Sequence, residues 1–269
     1  MKNINSLVIG NTSQLSYYFP EEYEKIPSRN INFEYFKDKF YDRIFFCFAE
    51  QRTFLENSRD LFFDTNVHYT YELLYFFRNK CNHIIVYGTS ELWNMHNGPI
   101  SIRDPYNYCH TDYISSKESM CKMIDFFRNE SGYSQQAQIH IVHPFNFNSI
   151  YRKKGFLFSK VFDSIINKKK IEIGDTNFYR DLIHPKYIVQ KSIETKHDII
   201  VGSGKLLNVN EFIKELYKKN ELVYEDYVTE NFDCNLSNKR TLYYSLTDNY
   251  NTLLNDTLDD IKGIQNKIS

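Results

Sequence analysis

The sequence predicts an α/β fold in which a parallel β-sheet is covered on both faces. Three observations carry that expectation. Four short apolar runs, at 6–10, 42–49, 83–88 and 138–142, have the length of buried strands. Segments with helical spacing of apolar residues lie among them, at about 54–80 and 112–130, and strands alternating with helices argue for parallel pairing. A chain of 269 residues with 42% hydrophobic content can also bury a core of that size.

Taken in order, Ser6-Leu-Val-Ile-Gly10 is a strand that runs into the turn Asn11-Thr12-Ser13. Pro20 interrupts any helix soon after. Asp42–Ala49 is the second buried strand, and 54–80 is a helix with Leu61, Phe62, Val67, Leu73, Leu74 and Phe77 on one side. His83–Gly88 is the next strand. Residues 94–111, rich in Asn, Pro, Gly and Asp, read as a loop. A helix covers about 112–130, and Gln138–Val142 is a strand closed by Pro144. Further on, helices are expected at 158–168, 185–195, 210–219 and 250–265, and strands at 171–173 and 197–201. The two parts, 1–145 and 146–269, are expected to form one compact body with a cleft between them. Gly10, Thr89 and Asn146 each follow a strand, where open α/β sheets bind their ligands.

Bulk properties narrow the function. The net charge of −1 marks neither a nucleic-acid nor a membrane binder. The start, Met-Lys-Asn-Ile-Asn-Ser, lacks the apolar stretch of a signal peptide. The five cysteines show no paired spacing, so free thiols in a reducing cytoplasm are expected. His140 and His143 flank a strand without further ligands, and no metal is expected.

The chemistry-bearing pattern is Tyr113-Ile-Ser-Ser-Lys117, downstream of Thr89 at the end of the 83–88 strand. A Tyr and a Lys four apart lie on one helix face. An ammonium beside a phenol favours the phenolate and lowers its pKa. A hydroxyl from a strand end can hold a substrate oxygen against that phenol, giving a device for moving a proton on and off it. The spacing alone is weak, because it recurs at Tyr35/Lys39 and Tyr187/Lys191.

Strand, hydroxyl, loop and Tyr-x-x-x-Lys helix together resemble the extended branch of the short-chain dehydrogenase/reductase family, which modifies nucleotide-activated sugars. Further segments in family order extend the likeness. Ile141-Val-His-Pro-Phe-Asn146, Gly174-Asp-Thr-Asn-Phe-Tyr-Arg180-Asp-Leu-Ile-His184 and Val201-Gly-Ser-Gly-Lys-Leu-Leu-Asn-Val-Asn-Glu-Phe212 are similar to its substrate-side elements. The resemblance implies a Rossmann-like doubly wound parallel sheet with a smaller C-terminal substrate-binding α/β lobe. Residues 1–145 would bind a dinucleotide and 146–269 a nucleotide-diphosphate sugar.

In that reading Thr89, Tyr113 and Lys117 are catalytic, and Lys117 also holds the nicotinamide ribose. The cofactor would contact Gly10, Thr12, Ser13, Gln14, Leu15, Arg29, Phe48, Ala49, Tyr87, Gly88 and Pro144, with Tyr113 and Lys117. The family's glycine turn is reduced here to Gly10-Asn-Thr-Ser13-Gln-Leu-Ser16, in which serine can offer a hydroxyl to phosphate. Ser28-Arg29 without an acid suits a 2′-phosphate, so NADP(H) is favoured over NAD(H). The substrate would meet Ser90, Asn146, Phe158, Lys160, Arg180 and Arg240. The implied reaction is reduction of a 4-keto sugar nucleotide for surface polysaccharide. Glu91 in Thr89-Ser90-Glu91 resembles the base of the 4,6-dehydratases, so dehydratase or 4-epimerase chemistry is the alternative. The eroded glycine turn keeps a non-catalytic binding protein as a third reading. The family's dimer helices correspond to about 58–80 and 112–130, whose rings (Phe62, Phe63, Tyr75, Phe76, Phe77, Phe126, Phe127) suggest a homodimer.

Overall fold

The computed structural model describes residues 5–53, 59–129, 137–231, 242–246 and 250–268. Its centre is a six-stranded, wholly parallel sheet. The strands are β1 (Ser6–Ile9), β2 (Glu24–Ile26), β3 (Tyr41–Phe46), β4 (Cys81–Tyr87), β5 (Gln138–Pro144) and β6 (Ile199–Val201). Their spatial order is β6-β5-β4-β3-β1-β2, so the winding reverses between β1 and β3. This is the doubly wound arrangement expected from the sequence.

Strand period two explains how the sheet is covered. Val8, Phe45, Ile85 and Val142 enter one core, while Leu7, Ile9, Ile44, Phe46, Ile84, Val86 and Ile141 enter the other. The second core is closed by α2 (Tyr69–Phe77) and α3 (Asp112–Asn129), through Leu73, Phe77, Ile114, Ile124 and Phe127, while α1 (Arg59–Phe63) sets the buried Phe62 edge-on to Tyr113. The first is closed by α4 (Leu157–Asn167), α5 (Pro185–Glu194), α6 (Val209–Lys219) and, beyond the single turn α7 (Tyr224–Tyr227), α8 (Leu253–Ile268).

Two expectations are corrected. The 54–80 helix is not continuous: a π-helical turn over Asp64–His68 separates α1 from α2, and residues 54–58 lie outside the described residues. The 94–111 loop contains a short strand, Gly98–Ile100, which pairs in parallel with Tyr243–Ser245. In line with the interruption expected at Pro20, the first turn leads only into a three-residue 3-10 helix, Ser16–Tyr18, before the chain returns as β2.

Candidate active site

The carboxyl ends of β1, β3 and β4 open into a cavity of about 460 Å³ at the point where the winding reverses. A second cavity of about 500 Å³ adjoins it, and the two share Gln51, Phe147, Arg152 and Phe156 as walls. Gly10, Thr12, Ser13, Gln14, Leu15, Arg29, Phe48, Ala49 and Tyr87 line the first. Gly88, Thr89, Ser90, Glu91, Tyr113, Pro144 and Asn146 line the second.

Local sequence places these groups. Thr89 is the cap of a 3-10 turn, its Oγ1 accepting from the Glu91 N–H at 3.2 Å, which sends Glu91 into the cavity. The Thr111 hydroxyl accepts from the Ile114 N–H at 3.2 Å and starts α3, so that Tyr113 stands in its first turn. Burial pushes the Tyr113 phenol up to about 12; the facing Thr89 hydroxyl draws it down, Glu91 raises it further, and the Arg152 guanidinium lowers it.

Lys117 does not take the expected place. It lies on the inward stripe of α3 with Ile114, Cys121 and Ile124, and it is buried. Its Nζ donates to the Tyr87 carbonyl at 2.8 Å and lines neither cavity. Burial lowers its pKa to about 8, and it is not among the groups that move the phenol. Sharing a helix face with Tyr113 is therefore not enough: the ammonium turns inward to the strand end, and Arg152 is the cation that acts on the phenol.

Other expected contacts are also relocated. Phe158 packs in the core against Phe162 and Phe212, because its position falls on the apolar stripe of α4. Lys160 points to solvent and donates to the Glu172 carbonyl at 3.1 Å. Arg180 donates to the Tyr179 carbonyl at 2.8 Å, rests over Phe178 and interacts electrostatically with Glu91, without lining either cavity. Ser16 spends its hydroxyl on the carbonyls of Asn11 and Ser13, at 2.8 and 2.6 Å, and has no need of a phosphate. Arg240 lies outside the described residues.

Sequence reasoning missed three side chains. His143 is buried and neutral, its pKa lowered to about 4 chiefly by burial, and its Nδ1 lies 3.3 Å from the Thr89 nitrogen. Arg152 stands between the two cavities, donating to the Phe147 carbonyl at 3.2 Å and resting 4.0 Å over Phe156. Arg52 faces the first cavity from a buried Glu50. None of the three belongs to a spacing pattern; the only available signal was a strand-end position.

The donor set of the first cavity fits a phosphate-bearing dinucleotide. Arg29, Arg52, Arg152 and Lys153 line it, and the one carboxylate among its described lining residues, Glu50, is bound to Arg52. No group of three or more metal-ligating side chains occurs among the described residues, and no helix among them is long and apolar enough to cross a membrane.

No protein-family model matches the chain, and no curated protein sequence matches it. Solved structures do. A UDP-N-acetylglucosamine 4-epimerase from Methanobrevibacter ruminantium M1, in complex with UDP-N-acetylmuramic acid, has a TM-score of 0.78 at 16% identity, over 98% of this chain and 100% of that one. The DesIV double mutant, a dTDP-glucose 4,6-dehydratase from Streptomyces venezuelae with NAD and DAU bound, gives 0.73 at 14%, over 96% of each chain. RMD from Pseudomonas aeruginosa complexed with NADPH gives 0.72 at 13%, over 96% of this chain and 99% of that one. At such identities the likeness establishes a Rossmann-like fold.

Proposed function

We propose that the chain is a nicotinamide-dependent oxidoreductase of the extended short-chain dehydrogenase/reductase family that acts on a nucleotide-activated sugar, and that its reaction is reduction of a 4-keto sugar nucleotide. The observation that carries this reading is the facing of Thr89 and Tyr113 across one cavity wall, beside the cavity that begins at Gly10. The fold likeness supports the substrate class. A bound nicotinamide would supply hydride to the sugar carbonyl carbon. The chain would do the rest: Thr89 holds the carbonyl oxygen, and Tyr113 delivers the proton to it.

Two features favour reduction over an oxidative first step. A phenol pushed up to about 12 rests protonated, ready to donate, whereas an enzyme that begins by oxidation needs the phenolate. The first turn also lacks a helix whose N-terminus would grip the cofactor, which suits one exchanged at each turnover. Ser28 and Arg29 at the end of β2, with no acid beside them, support NADPH over NADH. Glu91 supports the second reading, a 4,6-dehydratase, because its carboxylate lines the same cavity as Tyr113. Tyr75 and Phe126, 54% and 70% exposed on α2 and α3, are the natural centre of a homodimer face, whereas Phe62, Phe77 and Phe127 are core. A cytoplasmic setting follows from the cofactor.

The deciding assay offers 4-keto-6-deoxy sugar nucleotides with NADPH, and separately CDP-, GDP-, UDP- and dTDP-hexoses with no added cofactor. NADPH oxidation in the first arm is expected. A 4-keto product in the second arm would instead establish the dehydratase. Tyr113→Phe should cut turnover about 10²–10⁴-fold with little change in cofactor affinity. Absence of binding of either nicotinamide nucleotide would leave a non-catalytic binding protein.

A further inference from the structure

We propose that Arg52, fixed by the buried carboxylate of Glu50, holds the pyrophosphate of the dinucleotide where the two cavities meet. The inference rests on reading the first cavity as a dinucleotide site. Folds of this kind ordinarily meet the pyrophosphate with the open amides of a glycine turn and a helix N-terminus. Here four of the seven amides from Gly10 to Ser16 are spent. The Gly10 and Asn11 N–H groups both donate to the Ile26 carbonyl at 2.9 Å. Ser13 N–H donates to the Gly10 carbonyl at 2.8 Å, and Ser16 N–H to that of Ser13 at 3.0 Å. The following 3-10 turn of three residues has no macrodipole to offer. The turn alone therefore offers fewer donors than is usual, and side chains must meet part of the negative charge.

Arg52 is built for that role. Glu50 is 6% exposed. Its Oε1 accepts from Gln51 N at 3.0 Å, Arg52 N at 2.9 Å and Arg52 Nε at 2.9 Å, and its Oε2 from Arg52 Nη2 at 2.7 Å. Burial pushes the Glu50 carboxyl up, yet these donors, led by the Arg52 side chain, bring it below its ordinary value. The guanidinium is therefore oriented before any ligand arrives. Of its five N–H donors two are engaged by Glu50, which leaves three to face the cavity from a side chain 42% exposed.

Position identifies the phosphate. Arg52 lines the first cavity, Thr53 the second, and Gln51 both. Ser28 and Arg29 mark the adenosine side at β2, and Thr89 with Tyr113 the reacting side at β4. The group between them on a dinucleotide is the pyrophosphate. The anchor is also tied to the helix of Tyr113. The Glu50 N–H donates to Asn66 Oδ1 at 2.9 Å, Asn66 Nδ2 donates to Ser116 Oγ at 3.0 Å, and Ser116 Oγ donates to the Tyr113 carbonyl at 2.7 Å. Asn66 sits in the π-turn between α1 and α2, a feature frequent at functional sites.

The test titrates NADPH, NADH and UDP into the wild-type chain, Arg52→Gln, Arg52→Lys and the charge-balanced Glu50→Gln/Arg52→Gln variant, with melting curves for each. The double variant avoids leaving Glu50 as an unpaired buried charge, so the question stays answerable if Arg52→Gln does not fold. Arg52→Gln is expected to weaken NADPH and NADH alike by about ten- to a hundredfold, the double variant similarly, and UDP by less than about twofold. Arg52→Lys should recover only part of the loss, since an ammonium lacks the fork. Unchanged affinity for both dinucleotides overturns the proposal. Loss confined to NADPH moves Arg52 to the 2′-phosphate and overturns it too, as does a loss confined to UDP. A wild-type chain that binds neither dinucleotide brings down the underlying reading and the inference with it.

Discussion

Lys117 shows what a residue-level rule can and cannot deliver. The i, i+4 spacing put Tyr113 and Lys117 on one side of α3, and the strand-end hydroxyl of Thr89 was legible beside them. What spacing cannot reveal is how the helix is rotated about its axis. Here Ile114, Lys117, Cys121 and Ile124 form the inward stripe, so the lysine is carried beneath the strand end. His143 was illegible because its contact with Thr89 forms only when distant strands meet, and Arg52 and Arg152 because their local contacts, with Glu50, Phe147 and Phe156, follow no recognisable spacing and the cavity they line is assembled from distant segments. A measurable consequence concerns the ammonium of Lys117 without ligand. Its folded pKa is depressed to about 8 from an ordinary 10.5, mainly by burial. The folded state thus sheds its proton first. Wild-type stability should climb as pH rises from about 8 towards 10.5, be fully gained above that, and be lost as pH falls through 8. Lys117→Met has no such term. Its melting temperature should therefore exceed that of the wild type at pH 7, and the difference should shrink over that interval. A difference independent of pH would show that the buried amine is not titrating as described.

At the scale of elements, the β1 turn decides the geometry of the cleft. The strands that anchor it were readable because β1, β3, β4 and β5 bury both faces and so appear as continuous apolar runs. In the C-terminal half the apolar Ile171–Ile173 and Ile199–Val201 were readable, whereas the two-residue strands and Val228–Glu230 were not, since a signal that short and mixed is indistinguishable from loop. The π-turn shifts the helical period by a single residue and hides for the same reason. Gly10 has a physical necessity that the family likeness explains only in part. Its φ is +110°, and a Cβ there would lie 2.9 Å from the Cys47 carbonyl oxygen, a backbone atom of the neighbouring strand exit. Gly10→Ala should cost roughly 1–3 kcal/mol. Gly174→Ala, where an added Cβ meets nothing within 4 Å, should be near neutral. Urea unfolding at constant m-value separates the two. Equal midpoints for both variants would mean that the β1–β3 approach is looser than described. Gly88 is constrained in another way, because an added Cβ would run into the buried ring of His143, which holds the Thr89 backbone.

The whole molecule raises the question of whether 1–145 and 146–269 are separate units. Strand β6 comes from the second part yet completes the sheet of the first, pairing Ile199–Val201 with Val142–Pro144. Asp181, fully buried, accepts from Ser203 N and Oγ at 2.6 Å each and from Ser245 N at 2.9 Å, so it ties two segments of the second part to the strand Tyr243–Ser245, which itself pairs with Gly98–Ile100 of the first. On α8, Asp260 accepts the Tyr18 hydroxyl from the first turn and lies 3.2 Å from His184 Nε2 at the cap of α5. Contacts that cross the boundary in this way favour a single cooperative transition. The one tryptophan, Trp93, is fully buried beside the second cavity and reports on the first part; far-UV circular dichroism reports on both. The two denaturation curves should coincide. Asp181→Asn should shift both together, because an amide cannot accept on the side where its own N–H groups now point, and each buried donor left unpaired costs roughly 1–3 kcal/mol. If fluorescence and dichroism separate, or if Asp181→Asn moves only one of them, the C-terminal part unfolds by itself, and the cleft would be free to open as a hinge between two bodies.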